Sequence, residues 1–578
     1  MRKFVAGLVA GTMILSLTAC LPTGVNNAGD KDSNEALATV TSTSNSGGDI
    51  TTPVDNGNGG ENNNIDNPDN PDNNGNGGDT ASHPEYTSYP GYSVYDYTVE
   101  NKFLDDNDYS STKIIDTSYS NIYIHSGEYA ETDDYKELAE KIQQVNEDNE
   151  ANLKETFKGF ESDFDDMYSD VDITWGPVFY EYDHKGVIRA DQKIFSTGNN
   201  AEVYYGGAHG GNYVGGFCYD SQTGEQITFN DVFLKTDGLA DIITDKLYEN
   251  YDKEIFFSET REDLKEDVQL YVDQLVNDGA TNWTVNYDGV GIYFGDYALA
   301  AYASGHQIVF INYDEYPDYL NPEYFENVDD EYVMHVSQYV YYPMYLGDKE
   351  YGLSFSWEKY WNEQGQFYSD TYQFVNIYGP GDFYQQINID GSFIDPSIYI
   401  IRKDGTDYLY VQNYFFDGVE YLQVFEFNGK EFEEVVAYQG GIYFETNELK
   451  EISFSANGSF AGSFAFSTTT ANVDDDGWLE LGEVFYYDLY DGWEEKSYYE
   501  AVSDIKAYEP DDDFKPSKDE KTLAKGTRVR PFASDLDKYI ILIDTDGNFY
   551  AFNIKWDSYE MTIGGKKTFD LFDIHEEW

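Results

Sequence analysis

The segment NVDDDGWLELGE carries oxygen-bearing residues at the spacing of a calcium-binding loop. Its candidate ligands are the side chains of Asn472, Asp474 and Asp476, the carbonyl of Trp478 and the carboxylate of Glu483. The flanking segments are strand-like rather than helical, and the first ligand is Asn where Asp is usual. Two interpretations stay open here: a calcium site between strands, or an acidic β-turn that holds no ion.

His209 is the second candidate for chemistry, because it lies in the glycine-rich segment GGAHG. A neutral imidazole can act as a general base or bind a metal, and His306 in YASGHQ is a second imidazole that could approach it in the fold. The alternative is a hydrogen-bonded histidine that holds the loop in place. The candidate binding motif consists of Gly206, Gly207, His209, Gly210 and Trp283. Because the chain carries no P-loop, dinucleotide-binding fingerprint or HExxH motif, the sequence favours binding over catalysis.

The first residues have the pattern of a lipoprotein signal peptide. Arg2 and Lys3 precede an apolar run over residues 4–17, and the small residues of LTAC lead directly to Cys20. The run is too short to span a bilayer, which indicates a cleaved secretory signal. We expect cleavage of residues 1–19, a lipid on Cys20, and a protein anchored to the outer face of the bacterial cytoplasmic membrane. The alternative is an ordinary signal peptide with an incidental cysteine.

The charge of the chain limits its partners. It has 35 Lys and Arg against 109 Asp and Glu, a formal net charge of -74. A field of this sign repels nucleic acid and attracts cationic proteins and divalent cations. Only 2 cysteines are present, so Cys218 has no disulfide partner once Cys20 is lipidated. Its apolar neighbours predict a small buried residue rather than a nucleophile.

Composition and periodicity divide the chain after the signal peptide into four parts. Residues 20–91 are a disordered linker rich in Asn, Gly and Asp, with too few large apolar side chains to form a core. Residues 92–325 predict an α+β domain with a mainly antiparallel sheet. Residues 326–513 predict an all-β domain, either a partial propeller or a sandwich, because short aromatic strands alternate with turn signals such as the DG pair at Asp404 and Gly405. Residues 514–578 predict a small β module.

Three helices are expected in the α+β domain. An apolar stripe from Tyr135 to Phe160 predicts the longest one. Apolar residues from Leu239 to Leu247 predict the second. Thr260, with Asp263 three positions later, predicts the N-terminal cap of the third.

Four short motifs in residues 92–325 carry a family resemblance. They are GGAHG, the TGE turn at 223–225, the NW pair at 282–283, and YASG at 302–305. With these motifs the region resembles the extracytoplasmic domain of the lysozyme-sensing anti-sigma factor RsiV, a domain that also precedes the catalytic part of some peptidoglycan deacetylases. The sequence shows no sigma-binding segment and no deacetylase domain, so the resemblance implies only the outer binding module. Residues 514–578, with TRVRPF and the turn DTDG, resemble bacterial SH3-like β-barrels.

These observations together predict a lipid-anchored cell-surface binding protein. The RsiV-like domain would bind a cell-wall-related ligand, either a cationic muralytic enzyme such as lysozyme or peptidoglycan itself. Two alternatives stay open. One is an enzyme that acts on wall glycan through His209, and the other is a structural surface protein stabilised by calcium.

Overall fold

The computed structural model describes the chain from residue 88 onward, with gaps. The described residues are 88–104, 112–126, 134–168, 176–206, 209–338, 340–347, 349–361, 367–381, 383–415, 419–444, 446–449, 452–461, 463–487, 497–557 and 560–576. Cys20, the signal peptide and almost all of the linker lie outside them. In the described part of the chain, no helix is long and apolar enough to cross a membrane.

The first sheet has six strands, which are hydrogen-bonded in chain order. They are β1 (Tyr92–Phe103), β2 (Lys113–Ile124), β3 (Phe179–Ala190), β4 (Ile194–Tyr204), β5 (Gly211–Asp220) and β6 (Gln226–Ile227). β2 and β3 pair in parallel, and the other neighbours are antiparallel. The parallel pair follows from the connection between them, the 33-residue helix α1 (Lys136–Tyr168), because parallel strands need a long crossover.

Helix α1 packs its apolar stripe against this sheet. The residues that it buries are Leu138, Ile142, Asn146, Leu153, Phe157, Phe160 and Phe164. Their spacing of three or four positions places them on one helix face, as the sequence predicts. Asn146 binds the edge of β2, since its amide donates to the Ile122 carbonyl oxygen at 2.7 Å and accepts from the Ile122 N–H at 3.3 Å.

A second layer follows along the chain. Its helices are α2 (Phe229–Val232), α3 (Leu239–Asn250), α4 (Arg261–Asn277) and α5 (Pro322–Phe325), and its three-stranded sheet consists of β7 (Trp283–Val285), β8 (Gly289–Phe294) and β9 (Gln307–Asn312). The predicted cap of α4 is confirmed, because the Thr260 hydroxyl donates to the Asp263 carboxylate at 2.9 Å and accepts its backbone N–H at 3.2 Å. Gly216 lets the two sheets approach, since a Cβ there would lie 2.6 Å from the Thr284 Cγ2 atom on β7.

After residue 325 the described secondary structure consists of strands, apart from one helical turn at residues 568–570. The strands that come first are β10 (Tyr332–Val336), β11 (Tyr342–Leu346), β12 (Lys349–Trp361), β13 (Phe367–Tyr378), β14 (Tyr384–Ser392), β15 (Ser397–Lys403), β16 (Thr406–Tyr414), β17 (Glu420–Phe427) and β18 (Phe432–Tyr438). They form two sheets, ordered β10-β15-β16-β17-β18 and β11-β12-β13-β14. Asp404 and Gly405 both have positive φ in the β15–β16 turn, which is the hairpin that the DG pair predicts.

The remaining strands form one branched sheet of 14 strands. They are β19 (Gly441–Tyr443), β20 (Ile452–Phe460), β21 (Ser463–Val473), β22 (Leu479–Leu481), β23 (Phe485–Tyr487), β24 (Ser497–Ala501), β25 (Ile505–Pro510), β26 (Pro516–Leu523), β27 (Arg528–Ser534), β28 (Tyr539–Asp544), β29 (Phe549–Asp557), β30 (Glu560–Ile563), β31 (Lys566–Lys567) and β32 (Phe572–Glu576). β24 and β25 begin before residue 514 and pair with β27, β32, β26 and β29, so strands on both sides of residue 514 belong to one sheet. The strand order records no closed barrel among the described residues.

A buried ionic network joins the second layer to the all-β region. The Arg402 guanidinium, on β15, donates to the Asp288 carboxylate at 2.9 Å and holds Asp407 through two of its nitrogens. Glu350, on β12, accepts the Asn286 amide at 2.8 Å. Burial and the neighbouring Asp288 raise the pKa of Glu350 to about 8. Three acidic groups therefore surround one guanidinium at this junction.

Candidate functional site

The β4–β5 hairpin carries the GGAHG segment to the edge of the first sheet. Gly206 has a φ of 80°, a backbone conformation that favours glycine, and Gly207 lies outside the described residues. At Gly210 a Cβ would lie 2.7 Å from the Val203 carbonyl oxygen and 3.2 Å from the Tyr180 hydroxyl. Gly206 and Gly210 therefore stand where a side chain is disfavoured, and His209 is exposed next to Gly210.

His209 belongs to an exposed group of rings that also contains Tyr297 and Tyr302, and we call these three residues the rim. The imidazole stacks on the Tyr302 ring at a centroid distance of 4.7 Å. Its Nδ1 lies 2.7 Å from the Gly210 carbonyl oxygen, so this nitrogen is the donor. Nε2 then accepts the Tyr297 hydroxyl at 2.9 Å. Because both ring nitrogens are occupied, the geometry favours a positioned platform over a free general base.

Next to the rim lie Glu202, Asn212 and Asp296, which we call the acidic floor. Glu202 on β4 is the register partner of Asn212 on β5. The Asn212 N–H donates to Asp296 Oδ2 at 3.0 Å. This bond ties the loop between β8 and β9 to the first sheet at Asn212. His306 ends the same loop, with its Nε2 4.0 Å from Asp296 Oδ1.

The carboxylates of the floor lie near three imidazoles, those of His184, His209 and His306. Burial raises the pKa of Glu202, the His184 imidazole acts against this shift, and the nearby Asp296 adds to it. Burial also raises the pKa of Asp296, although His306 and the Asn212 N–H act against this shift. Burial lowers the pKa of His306, so its imidazole is neutral near pH 7. Within the described part of the chain, no Lys or Arg forms an ion pair with either carboxylate.

Tyrosine rings continue the site along the face of the first sheet. Tyr180 stacks on Tyr182 at 4.8 Å and on Tyr204 at 5.5 Å. Tyr182 is the register partner of Glu202, which places this row beside the floor. Burial raises the pKa of Tyr180, and the charges of Glu202 and Tyr302 add to the rise. The face is half-buried rather than closed, so these rings are accessible to a ligand at their edges.

The buried polar atoms of this face include acceptors that have no hydrogen-bond partner. Asn200 precedes Glu202 by two positions on β4, so both side chains point to the same face of the sheet. Asn200 is only 6% exposed, and its Oδ1 has no partner among the described residues. The Oδ1 of Asn212 is likewise buried without a partner. Unpaired buried acceptors are uncommon in native proteins, and a ligand that donates hydrogen bonds would satisfy them.

Two other residues that the sequence singles out lie in the core. Trp283 is 5% exposed and packs edge-to-face on Phe229 at 5.5 Å, so the structure does not bring it to the rim. Cys218 is 1% exposed, and burial raises the pKa of its thiol to about 11. This confirms the prediction of a small buried residue rather than a nucleophile.

The calcium candidate forms a β-hairpin turn between β21 and β22. The Asp474 carboxylate accepts the backbone N–H groups of Asp476 at 3.0 Å and Trp478 at 2.8 Å, and the Trp478 carbonyl accepts the Asp474 N–H at 2.9 Å. Glu483 forms an ion pair with Lys515 instead of closing a loop. Asn472 pairs with Glu480 in the hairpin ladder. The described residues contain no group of three or more His, Cys, Asp or Glu that could hold a metal ion.

The acidic floor has no distinctive signature in the sequence. Carboxylates are so common in this chain that neither Glu202 nor Asp296 is distinctive by type. One usable signal exists, because Asn200, Glu202 and Tyr204 alternate with smaller or apolar residues and so share one face of a strand. His306 was considered as a partner of His209, and the structure places both near Asp296.

Comparison with known proteins gives a family for part of this site. A family described as a protein of unknown function (DUF3298) matches residues 230–314. No curated protein matches the chain. Two solved structures are similar to it. The alignment with a DUF3298 family member from Bacteroides fragilis covers 41% of this chain and 96% of that protein, with 18% sequence identity and a TM-score of 0.30. The alignment with a DUF3298 family protein from Pseudomonas aeruginosa covers 40% of this chain and 96% of that protein, with 13% sequence identity and a TM-score of 0.26.

The match includes the loop that supplies Asp296, Tyr297, Tyr302 and His306, whereas Glu202 and His209 come from the preceding sheet. The RsiV-like character of residues 92–325 and the SH3-like character of the tail stay predictions. Residues 230–314 of this chain therefore match the DUF3298 family.

Proposed function

We propose that this protein is a lipid-anchored cell-surface binding protein whose RsiV-like region binds wall glycan at the rim and the acidic floor. Cys20 would carry the lipid, and the linker would extend the binding region away from the outer face of the membrane. The observation that supports the proposal best is the position of an exposed ring platform beside half-buried carboxylates and buried amide oxygens.

This combination suits a pyranose ring. The apolar face of a sugar packs against an aromatic ring such as Tyr302, which is 40% exposed. The hydroxyl groups at the sugar's edge then donate to acceptors such as Glu202 and Asn200. Binding sites of this type combine an aromatic wall with a few well-placed polar groups.

Co-sedimentation tests the proposal. The full chain is mixed with insoluble peptidoglycan and, as a control, with insoluble cellulose, at low and at physiological salt. We expect it to sediment with peptidoglycan and to be released by soluble wall fragments. If the chain stays in the supernatant at both salt concentrations, the glycan proposal is wrong.

A cationic muralytic enzyme such as lysozyme is the second candidate ligand. The net charge of -74 and the absence of a Lys or Arg ion pair at Glu202 and Asp296, within the described residues, favour a basic partner. Opposite charges accelerate association, and this effect weakens with salt. Retention of lysozyme on the immobilised full chain would support this candidate if it is strong at low salt and weaker at physiological salt. No retention at either salt would exclude it.

A wall-glycan-acting enzyme is not favoured by a specific observation, because both nitrogens of His209 already have partners. A calcium-stabilised scaffold is not favoured either, because Asp474, Trp478 and Glu483 have partners of their own in the hairpin.

A further inference from the structure

We propose that a second site, between α1 and the first sheet, binds a small zwitterion such as a free α-amino acid. It consists of Glu181, Asp183 and Lys185 on β3 and Asn199 on β4, which we call the inner cluster. The three β3 residues occupy alternate positions, and Asn199 is the register partner of Lys185, so all four share one face of the sheet. Asn199 and Glu202 are three positions apart on β4 and point to opposite faces, so this site is separate from the glycan site.

The first observation is an opening in the sheet that α1 covers. The ladder between β2 and β3 ends at Asp183, although both strands continue. Beyond that point the backbone of Ile122, on β2, hydrogen-bonds the Asn146 side chain of α1 instead of β3. Burial raises the pKa of Glu181, and a hydrogen bond from the Thr156 hydroxyl of α1 acts against this rise. Helix α1 therefore crosses the sheet at the level of the inner cluster.

The second observation is that the inner cluster is buried while its hydrogen bonds are incomplete. Lys185 is 5% exposed, Asp183 8% and Asn199 9%. Lys185 Nζ lies 3.3 Å from Asp183 Oδ2, but it forms no hydrogen bond with the described residues. Glu181 Oε2, Asp183 Oδ1 and Asn199 Oδ1 are also buried without a partner among those residues. Unpaired buried polar atoms are costly, and a ligand or ordered water that pairs with them removes this cost.

The packing of α1 does not require a polar level. On one side of it, Ile142 of α1 and Ile122 belong to an apolar cluster, and on the other side Phe157 of α1 belongs to a second one with Phe179. The inner cluster interrupts this apolar interface at the level of Thr156. Residues that break a packing rule without a compensating contact are typical of functional positions.

The charges of the inner cluster define the ligand. Lys185 offers an ammonium group, and Glu181 and Asp183 offer carboxylate oxygens, so atoms of both signs are unpaired at neighbouring positions. A ligand carboxylate accepts from Lys185, and a ligand ammonium group donates to the acidic oxygens and to Asn199 Oδ1. A ligand with a single charge pairs with only one half of the site, and a neutral polyol pairs with no charge. The two ligand charges must also lie close together, as they do on the α-carbon of an amino acid.

Titration of the full chain with matched small ligands tests the inference. Both enantiomers of alanine, ethylamine, propionate and glycerol are each measured by calorimetry at pH 7 and physiological salt. We expect one enantiomer of alanine to bind about tenfold or more tightly than ethylamine, propionate or glycerol. Lys185→Met removes the charge of a long side chain, Glu181→Gln keeps an oxygen acceptor, and each should weaken alanine binding about tenfold. Lys430→Met, at a side chain that is 83% exposed, should bind as wild type.

The wild-type protein alone decides between the ligands. No alanine binding, or glycerol binding as tight as alanine binding, shows that ordered water fills the inner cluster and overturns the inference. Equally tight binding of ethylamine or propionate shows that a single charge is recognised, which also overturns it.

The location of the site has its own test. Bound alanine should slow the hydrogen exchange of α1 amides in the wild type, and unchanged exchange would contradict the site even if a variant fails to fold. Melting temperatures identify a loss of folding, and wild-type alanine affinity in the folded Lys185→Met and Glu181→Gln variants would contradict the role of the inner cluster. Failure of either test leaves the wall-glycan proposal unchanged, because that site lies on the other face of the sheet.

Discussion

Glu350→Gln should make the stability of this protein less dependent on pH. The carboxylate of Glu350 shares the buried junction with Asp288, Asp407 and Arg402, and its pKa rises from an ordinary 4.5 to about 8. Below pH 4.5 the group is protonated in both the folded and the unfolded state. Between pH 4.5 and 8 only the folded state keeps the proton, so folding stability falls as the pH rises through this range.

The size of the effect follows from the same shift. Each pH unit within the range costs about 1.4 kcal/mol, and the whole range costs up to about 5 kcal/mol. Gln carries no ionisable group but keeps the oxygen that accepts the Asn286 amide at 2.8 Å. We therefore expect Glu350→Gln and the wild-type protein to have similar stability at pH 5. At pH 8 the variant should be more stable by several kcal/mol.

Urea unfolding at pH 5, 6, 7 and 8, followed by tryptophan fluorescence, measures this difference. Glu431→Gln is the matched control, because its carboxylate is 54% exposed and should behave as wild type. A stability difference between Glu350→Gln and wild type that is the same at pH 5 and pH 8 would refute the reasoning.

Three further predictions concern single side chains. Asp474→Ala should lower the free energy of unfolding by about 1–2 kcal/mol, because two backbone N–H groups lose their acceptor. Urea unfolding should show the same loss with and without calcium. A loss that depends on calcium would contradict the hairpin interpretation. Cys218 should react with a thiol reagent about a hundredfold more slowly than an exposed cysteine, since its pKa rises from 9.0 to about 11; rapid labelling of the folded protein would show that the thiol is accessible. Thr260→Ala should lower the free energy of unfolding by about 1 kcal/mol through loss of the α4 cap, while Thr260→Ser should lower it little. Equal melting temperatures for the wild type and both variants would contradict this prediction.

Local signals in the sequence predicted local structure well. The apolar stripe of α1 and the cap at Thr260 both identify helices that the structure contains. Such signals work because they depend on contacts a few positions apart along the chain. The DG pair at Asp404 likewise predicts its hairpin, since positive φ at both central positions selects that turn.

Acidic turns show where a local signal is ambiguous. Asp474 accepts two backbone N–H groups within its hairpin, and Asp544 does the same in the turn between β28 and β29. The pattern of alternating acids before a glycine therefore serves a hairpin as well as a calcium loop. Spacing alone does not separate the two, because the deciding contact of Glu483 is with the distant Lys515.

The candidate site depends on contacts that are distant in sequence. Asp296 reaches Asn212 across 84 positions, and Tyr297 reaches His209 across 88. The sequence identified His209 and suggested His306 as its neighbour, but no property of the chain paired Glu202 with Asp296. Their proximity follows from strand register and sheet packing, which a single sequence does not specify.

The central claim is that the rim and the floor together bind wall glycan. Tyr302→Ala tests it most directly, because Tyr302 is 40% exposed and its loss should leave the fold intact. We predict that the affinity of the full chain for soluble peptidoglycan fragments falls about tenfold, with no change in melting temperature. Tyr384→Ala, at a tyrosine that is 55% exposed in the all-β region, should bind as wild type. Equal affinities for wild type and Tyr302→Ala would contradict the account.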